Sequence, residues 1–373
     1  MQAGRLRYQK IDRLYQTAIH AKIHKGALAT ARLFHFGALK RDVRPNVFTH
    51  GSAMLPRTAA LVLAAFPLVC VAANIPPPGI KAVQHPFAEI TPSATIKLGG
   101  RPDWMAVTPD SVWMANSSIH TVHQIDPATN REVARIECPG EPDSGIAAGF
   151  GHIWVPITGP TPALIGIDEQ THRVARTFAI GPADAEGGIA ASADSLWMVS
   201  GKNGPLLRID PGSGKIRQRI ALPAGSYNPT RIDREIWVTS VESNLVSCVD
   251  AESGAVLGHV PTGPRPRFST GNGQFVWVLN QGDGSVTKID RATRKAIATI
   301  AVGVPGGGGE ICFGGGFVWV TVFDLPLTKI DARTDQVTCQ WVGRAGDAVR
   351  FGFDSVWLSN LRDGLLLRLQ PLP

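Results

Sequence analysis

Hydrophobic residues recur along most of the chain in short strand-like stretches that each contain a tryptophan. Examples are Ser-Val-Trp-Met (111–114), His-Ile-Trp-Val (152–155) and Phe-Val-Trp-Val (275–278 and 317–320). Seven tryptophans are spaced 38 to 43 residues apart: Trp113, Trp154, Trp197, Trp237, Trp277, Trp319 and Trp357. A repeat of about 40 residues that is rich in short strands and turns is typical of a propeller blade. The spacing therefore predicts seven similar units.

A second periodic residue follows each of the first six tryptophans. It is an aspartate 12 to 14 residues later, followed by turn-forming residues, as in Ile-Asp-Pro-Ala-Thr (125–129) and Ile-Asp-Arg-Ala-Thr (289–293). The six are Asp126, Asp168, Asp210, Asp250, Asp290 and Asp331. Because an aspartate carboxylate accepts N–H groups about two positions further on, we predict that these residues shape turns and are not active-site acids.

Each unit thus contains a small-residue strand, the tryptophan strand, a strand ending in aspartate and an outer strand. Small side chains suit the crowded axis of a propeller, and tryptophan fills the space between blades. The sequence predicts an all-β fold, a seven-bladed β-propeller with four-stranded antiparallel blades. The last unit ends after its third strand, at 365–369, whereas residues 94–99 resemble the outer strands. We therefore expect the N-terminal strand to close the last blade.

The N-terminal part has a different composition. Residues 1–53 carry ten Lys/Arg and two acidic residues, and an apolar run at 59–73 ends in small residues before Asn74. This pattern predicts a basic preface (1–53), a signal peptide (54–73), a linker (74–93) and the propeller (94–373). The preface is either an over-extended gene model preceding a natural start at Met54, which we favour because the signal peptide is complete without it, or an Arg-rich targeting arm.

The formal net charge of +7 belongs to this leader. Residues 74–373 carry 26 basic and 28 acidic side chains, so the expected mature chain has a net charge of −2. A charge balance this close to neutral removes the reason to expect a nucleic-acid partner.

The cysteines of the mature region offer no chemistry of their own. Their spacing contains no Cys-x-x-Cys and no Cys/His arrangement typical of zinc. We expect Cys138, Cys248, Cys312 and Cys339 to be mostly buried small hydrophobic residues.

The Val-Trp-Val, Ile-Asp-x-x-Thr and Gly-x-Pro elements of residues 94–373 resemble the YVTN-type β-propeller repeats of exported bacterial proteins. More distantly they resemble the streptogramin (virginiamycin B) lyases. The resemblance implies the propeller fold, while its relatives include lactonases, lyases, quinoprotein subunits and plain binding modules. The Glu-x-His pair of the lyases does not occur in residues 74–373.

Candidate ligand-binding residues lie in the loops that lead into each innermost strand and in those that follow each tryptophan strand. In a propeller these loops surround one mouth of the axial channel, here called the funnel. The candidates are Asp103, Trp104, Asn116, Asp143, Glu186, Arg267, Asn280, Glu310, Asp347 and Asn360. The acids are either ligands for a divalent cation, with Glu186 and Glu310 the first choice and Mg²⁺ or Ca²⁺ the ion, or solvated loop residues paired with arginines.

Two functions remain open from the sequence. The first is a periplasmic or secreted binding or scaffold module whose funnel takes a small molecule, a peptide or a protein partner. The alternative is a metal-assisted lyase or lactonase-type hydrolase, and whether the chain is an enzyme stays undecided. For either function we expect a monomer without a membrane span, and no cofactor is certain.

The leader assignment makes a direct prediction about the exported protein. Protein isolated from the exported fraction should begin at Asn74, because signal peptidase cleaves after small-residue sites such as the one ending at Ala73. N-terminal sequencing checks this, and material that begins near Met1 would show that the preface belongs to the mature protein.

Overall fold

Each blade tryptophan lies in the second strand of a four-stranded antiparallel sheet, as predicted. The structure is a computed structural model that describes residues 79–370 apart from 183–186, 202, 304–305, 307, 323–324 and 345. The predicted preface and signal peptide lie outside the described residues. Within them, the only helices are three short 3₁₀ turns, at Lys81–Val83, Phe87–Glu89 and Ser117–Ile119.

The first strand of the described chain, β1 (Gln84–Pro86), is a fifth strand at the outer edge of one of seven sheets, whose four antiparallel strands form blades 1 to 7. From the innermost strand outwards, blades 1 to 3 consist of β3 (Pro102–Val107), β4 (Val112–Asn116), β5 (Thr121–Asp126) and β6 (Arg131–Glu137); β7 (Ala147–Gly149), β8 (His152–Ile157), β9 (Ala163–Asp168) and β10 (Arg173–Phe178); β11 (Ile189–Ala191), β12 (Leu196–Val199), β13 (Leu206–Ile209) and β14 (Ile216–Ile220).

Blades 4 to 7 consist, in the same order, of β15 (Ser226–Ile232), β16 (Glu235–Ser240), β17 (Leu245–Asp250) and β18 (Val256–Pro261); β19 (Pro266–Gly271), β20 (Phe275–Asn280), β21 (Ser285–Asp290) and β22 (Lys295–Ala301); β23 (Ile311–Gly314), β24 (Phe317–Val322), β25 (Leu325–Asp331) and β26 (Val337–Val342); β27 (Val349–Gly352), β28 (Ser355–Asn360), β29 (Leu365–Leu369) and β2 (Ala94–Lys97).

The seven sheets close into a ring. The innermost strand of each blade contacts that of the next, and β27 of blade 7 returns to β3 of blade 1. The predicted N-terminal closure is confirmed, because β2 pairs antiparallel with β29 from Ala94 opposite Arg368 to Lys97 opposite Leu365. The chain therefore joins its two ends within a single sheet, which removes the open edge that an incomplete blade would leave.

Residues 79–93, within the segment assigned as a linker, add to blade 6. Strand β1 pairs in parallel with β26, and the Ile80 amide donates to the side-chain oxygen of Gln340 over 2.6 Å. The Gln340 amide is fully buried and also donates to the Val302 carbonyl and the Thr328 hydroxyl. Because this buried amide needs partners on several sides, it ties the segment to the outer edge of blade 6.

The tryptophans fill the gaps between blades. All seven are buried, with at most 3% of their surface exposed. The ring of Trp277 in blade 5 stacks on Phe313 of blade 6, with 5.2 Å between centroids and 7° between planes. Most indole N–H groups donate within their own blade, for example from Trp197 to the Ser192 hydroxyl at 3.0 Å.

The six periodic aspartates shape turns, as predicted. Asp210 accepts hydrogen bonds from the Ser213 amide at 2.7 Å and the Ser213 hydroxyl at 2.9 Å, and it forms an ion pair with Arg217. These contacts, led by the Ser213 amide, lower the pKa of Asp210 to about 2. The pKa values of the other five aspartates are lowered by equivalent contacts.

The closing strand should be essential for stability. Ile96 of β2 is 7% exposed and packs with Trp357 and Leu366, so Ile96→Ala should lower the free energy of unfolding by about 2–5 kcal/mol. Denaturant unfolding checks this, with Lys97→Ala as the matched control because Lys97 is exposed on the same strand. A variant that unfolds like the wild type would show that β2 does not close the ring in solution.

The turn aspartates should make the stability of the folded state depend on pH in the acid range. An aspartate in an unfolded chain has a pKa of about 3.9, so the lowered pKa of Asp210 stabilises the folded state above pH ~4. This contribution is lost as the pH falls from ~4 towards 2. Between these pH values Tm should fall less in Asp210→Asn, which cannot titrate, than in the wild type. Equal slopes would show that Asp210 does not contribute to acid unfolding.

Candidate functional site

Strand pairing defines one level of the axial channel. In each blade, one residue of the innermost strand pairs with the blade tryptophan, from Ala106 opposite Trp113 to Arg350 opposite Trp357. Two positions before these partners lie the residues that we call the plug level: Trp104, Gly145, Gly188, Asn228, Phe268, Glu310 and Ala348. This level lies at or next to the start of each innermost strand and is therefore near the funnel.

Two aromatic rings meet across the channel at the plug level. Trp104 and Phe268 belong to blades 1 and 5, which are not neighbours in the ring, yet their centroids are 5.8 Å apart. They are 3% and 8% exposed. A Cβ at Gly145 would lie 3.5 Å from Trp104 and 3.3 Å from the Gly188 backbone, so Gly145 packs against the indole. The channel is therefore filled just below the funnel.

The Trp104 indole is buried without a visible partner. Its N–H group finds no hydrogen-bond acceptor among the described residues. A buried N–H of this kind is normally satisfied by an ordered water or by a ligand. The bottom of the funnel therefore offers one hydrogen-bond donor.

Two of the candidate acids tie blade 6 to blade 7. The Glu310 carboxylate is 5% exposed, forms an ion pair with Arg350 and accepts from the Val349 amide at 3.3 Å. Asp347 accepts from the Gly309 amide at 2.8 Å. Glu310 thus already has a cationic partner, and any metal ion at this position would compete with that guanidinium.

Arg267 lies in blade 5, next to blade 6. Its guanidinium carbon is 3.9 Å from the centre of the Tyr227 ring in blade 4. Its backbone carbonyl accepts from the Asn228 side chain at 2.9 Å and from the Thr239 hydroxyl at 2.8 Å. Asparagine, threonine and tyrosine of blade 4 therefore hold the start of the innermost strand of blade 5.

The three candidate asparagines form hydrogen bonds inside the protein instead of presenting their side chains to the funnel. Asn116 accepts from the Arg101 amide at 2.7 Å and donates to the Gly99 carbonyl at 2.8 Å, which fixes the passage from β2 to β3. Asn280 donates to the hydroxyls of Ser285 and Thr287, and Asn360 accepts from the Asp363 amide at 3.2 Å. All three are at most 5% exposed.

The remaining acidic candidates are Asp103, Asp143 and Glu186. Asp103 is buried and Asp143 is half-buried, and both have polar or electrostatic partners. Glu186 lies outside the described residues. In the part of the chain that the structure describes, no group of three or more His, Cys, Asp or Glu side chains is arranged to hold a metal ion.

The cysteines match the expectation from sequence. Cys248, Cys312 and Cys339 are buried, Cys138 is half-buried, and all four are free thiols. Burial raises the pKa of Cys138, Cys248 and Cys312 to about 12, so these thiols stay protonated at neutral pH.

Sequence reasoning missed a set of cations that join neighbouring blades. Lys288 lies 5.8 Å from the ring centre of Trp277 in its own blade and donates to Asp335 and to the Ala332 carbonyl in the next. Arg368 covers Trp357 and reaches the Pro127 carbonyl of blade 1 in the same way. These cations stand two residues before the periodic aspartate position, as in Lys-Ile-Asp (288–290), and that spacing could have revealed them.

Taken together, the ring of seven closed blades defines a seven-bladed β-propeller. The crystal structure of BamB from Moraxella catarrhalis is similar, with a TM-score of 0.56 over 76% of this chain and 100% of that chain. The identity is 12%, so the likeness concerns the fold alone. No protein-family model and no curated protein matches the chain. The resemblance to YVTN-type repeats and streptogramin lyases therefore stays a prediction.

Proposed function

We propose that this protein is a non-catalytic binding module that offers the funnel face of its propeller to a protein partner. The contact between Trp104 and Phe268 carries the proposal, because it fills the channel directly below the funnel. A deep pocket of the kind that encloses small substrates is therefore replaced by a shallow surface. Protein partners bind through broad, shallow surfaces of this type.

The contacts of the candidate acids support the same function. Glu310 and Asp347 are engaged in holding blade 6 against blade 7. A metal-assisted lyase or hydrolase would need such carboxylates to coordinate an ion and polarise a substrate oxygen. The binding function needs only that they keep the inner strands in place.

We further propose that the module acts outside the cytoplasm, in the periplasm or as a secreted protein, after removal of the leader ending at Ala73. This part of the proposal rests on the sequence of residues 54–73. No helix among the described residues has the length and hydropathy needed to cross a membrane.

Photo-crosslinking can test the funnel face. In an antiparallel blade the turn after the tryptophan strand lies at the funnel end, whereas the first hairpin turn lies at the opposite end. Ile119 is 41% exposed in a funnel turn, and Phe150 is 37% exposed in a turn of the opposite face. With a photoreactive phenylalanine at either position in the organism that encodes the protein, we expect a discrete heavier adduct from position 119 and none from position 150.

Two results would contradict the proposal. Adducts absent from position 119, or equally abundant from both positions, would remove the funnel face as the binding surface. One bound Ca²⁺ or Mg²⁺ per chain in the purified protein, lost in Glu310→Ala, would favour the metal-assisted enzyme instead.

A further inference from the structure

We propose that the axial channel also contains a carboxylate-binding site, on the side of the plug away from the funnel, and that Arg350 anchors it. This site is independent of the proposed protein partner, because the two lie on opposite sides of Trp104 and Phe268.

The innermost strands place a single cation among small side chains. The seven residues that pair with the blade tryptophans lie two positions, or about 6.6 Å, beyond the plug level. Six of them are small and uncharged, and the seventh is arginine: Ala106, Ala147, Ala190, Thr230, Thr270, Cys312 and Arg350. Trp104 and Phe268 fill the channel at the plug level. At the level of the tryptophan partners, Arg350 is the only large side chain of the seven.

Solvent reaches this level. The Arg350 side chain is 28% exposed, and Ala147, Thr230 and Thr270 are half-buried. Since these residues lie on innermost strands, whose unpaired edge faces the axis, their exposed surface lines the channel. Because the plug fills the channel on the funnel side, the site in our proposal is reached from the hairpin-turn side.

Glu310 holds the guanidinium by one end. Nη1 of Arg350 donates to Oε2 of Glu310, and Nη2 lies 3.4 Å from Oε1. Nη1 also donates to the Val349 carbonyl at 2.7 Å. These bonds use both Nη1 hydrogens and one Nη2 hydrogen. Among the described residues, no acceptor faces Nε or the second Nη2 hydrogen.

Those two remaining donors form the side edge of the guanidinium. They are parallel and coplanar, which matches the two oxygens of a carboxylate. Because Glu310 already neutralises the guanidinium and the other wall residues are uncharged, a single negative charge fits better than the double charge of a phosphate. The site therefore suits the carboxylate of a slender organic acid or a chain terminus.

In this blade an arginine with a structural role uses its side edge within the protein, unlike Arg350. Arg368 in the same blade shows the difference, because its Nε donates to Ser355 at 2.9 Å, and both of its Nη atoms donate to blade 1 or to the Phe353 carbonyl. Arg368 is the natural internal control, since it is also an arginine of blade 7 with every nitrogen engaged.

Nitrogen-detected NMR of the full mature protein tests the site with sodium acetate as the probe, at constant ionic strength in sodium chloride. The Nε–H signal of Arg350, identified by its absence in Arg350→Lys, should shift saturably with acetate. The Arg368 signal should stay fixed. The Val349 amide, which donates to Glu310, reports binding in every variant.

Two variants separate the effect of the positive charge from the effect of the paired donors. Arg350→Lys keeps the charge but loses the paired donors, so its acetate affinity at the Val349 reporter should fall about tenfold. Glu310→Gln removes the competing negative charge and keeps an acceptor oxygen, so acetate should bind at least as tightly as in the wild type. An Arg350 signal that does not shift, or equal affinity in Arg350→Lys, would overturn the proposal. Tighter binding of inorganic phosphate than of acetate would overturn the assignment to carboxylates.

Discussion

Closure of the ring is the constraint on which the rest of this structure depends. Each inner strand contacts two neighbours, so the blades stay in place only if blade 7 is completed and returns to blade 1. Strand β2 completes it through pairing with β29, and Asn116 then fixes the connection from β2 into the first innermost strand. The side-chain amide of Asn116 in blade 1 thereby supports the pairing of β2 with β29, whose residues are more than 250 positions apart in sequence.

Once the ring is closed, crowding at the axis determines which side chains fit there. Seven strands converge on a narrow channel, which favours glycine, alanine and threonine, and larger side chains fit only where a neighbour is small. Gly145 lies next to the Trp104 indole, which reaches Phe268 across the channel. The same crowding makes the charged residues Glu310 and Arg350 costly unless they are paired, and they form an ion pair across blades 6 and 7.

The fold could be predicted from sequence because its signals repeat. The tryptophans and the turn aspartates occur in almost every blade, so an error in one unit is corrected by the others. The site could not be predicted as well, because each blade contributes a different residue to the axis. Counting back from the tryptophans found Trp104 and Glu310, but it could not show that one meets Phe268 and the other meets Arg350. Those contacts depend on the order of blades around the ring.

The position of Arg350 illustrates what periodicity conceals. It pairs with Trp357 where the other blades have alanine, threonine or cysteine, and sequence reasoning that sought common features passed over it. In a repeat protein the departures from the pattern carry the individual chemistry, since the pattern itself is needed by every blade. A buried glutamate would be satisfied by any donor, yet this one holds the end of a guanidinium, whose side edge has no acceptor among the described residues. That arrangement orients a binding group, which packing between blades does not require.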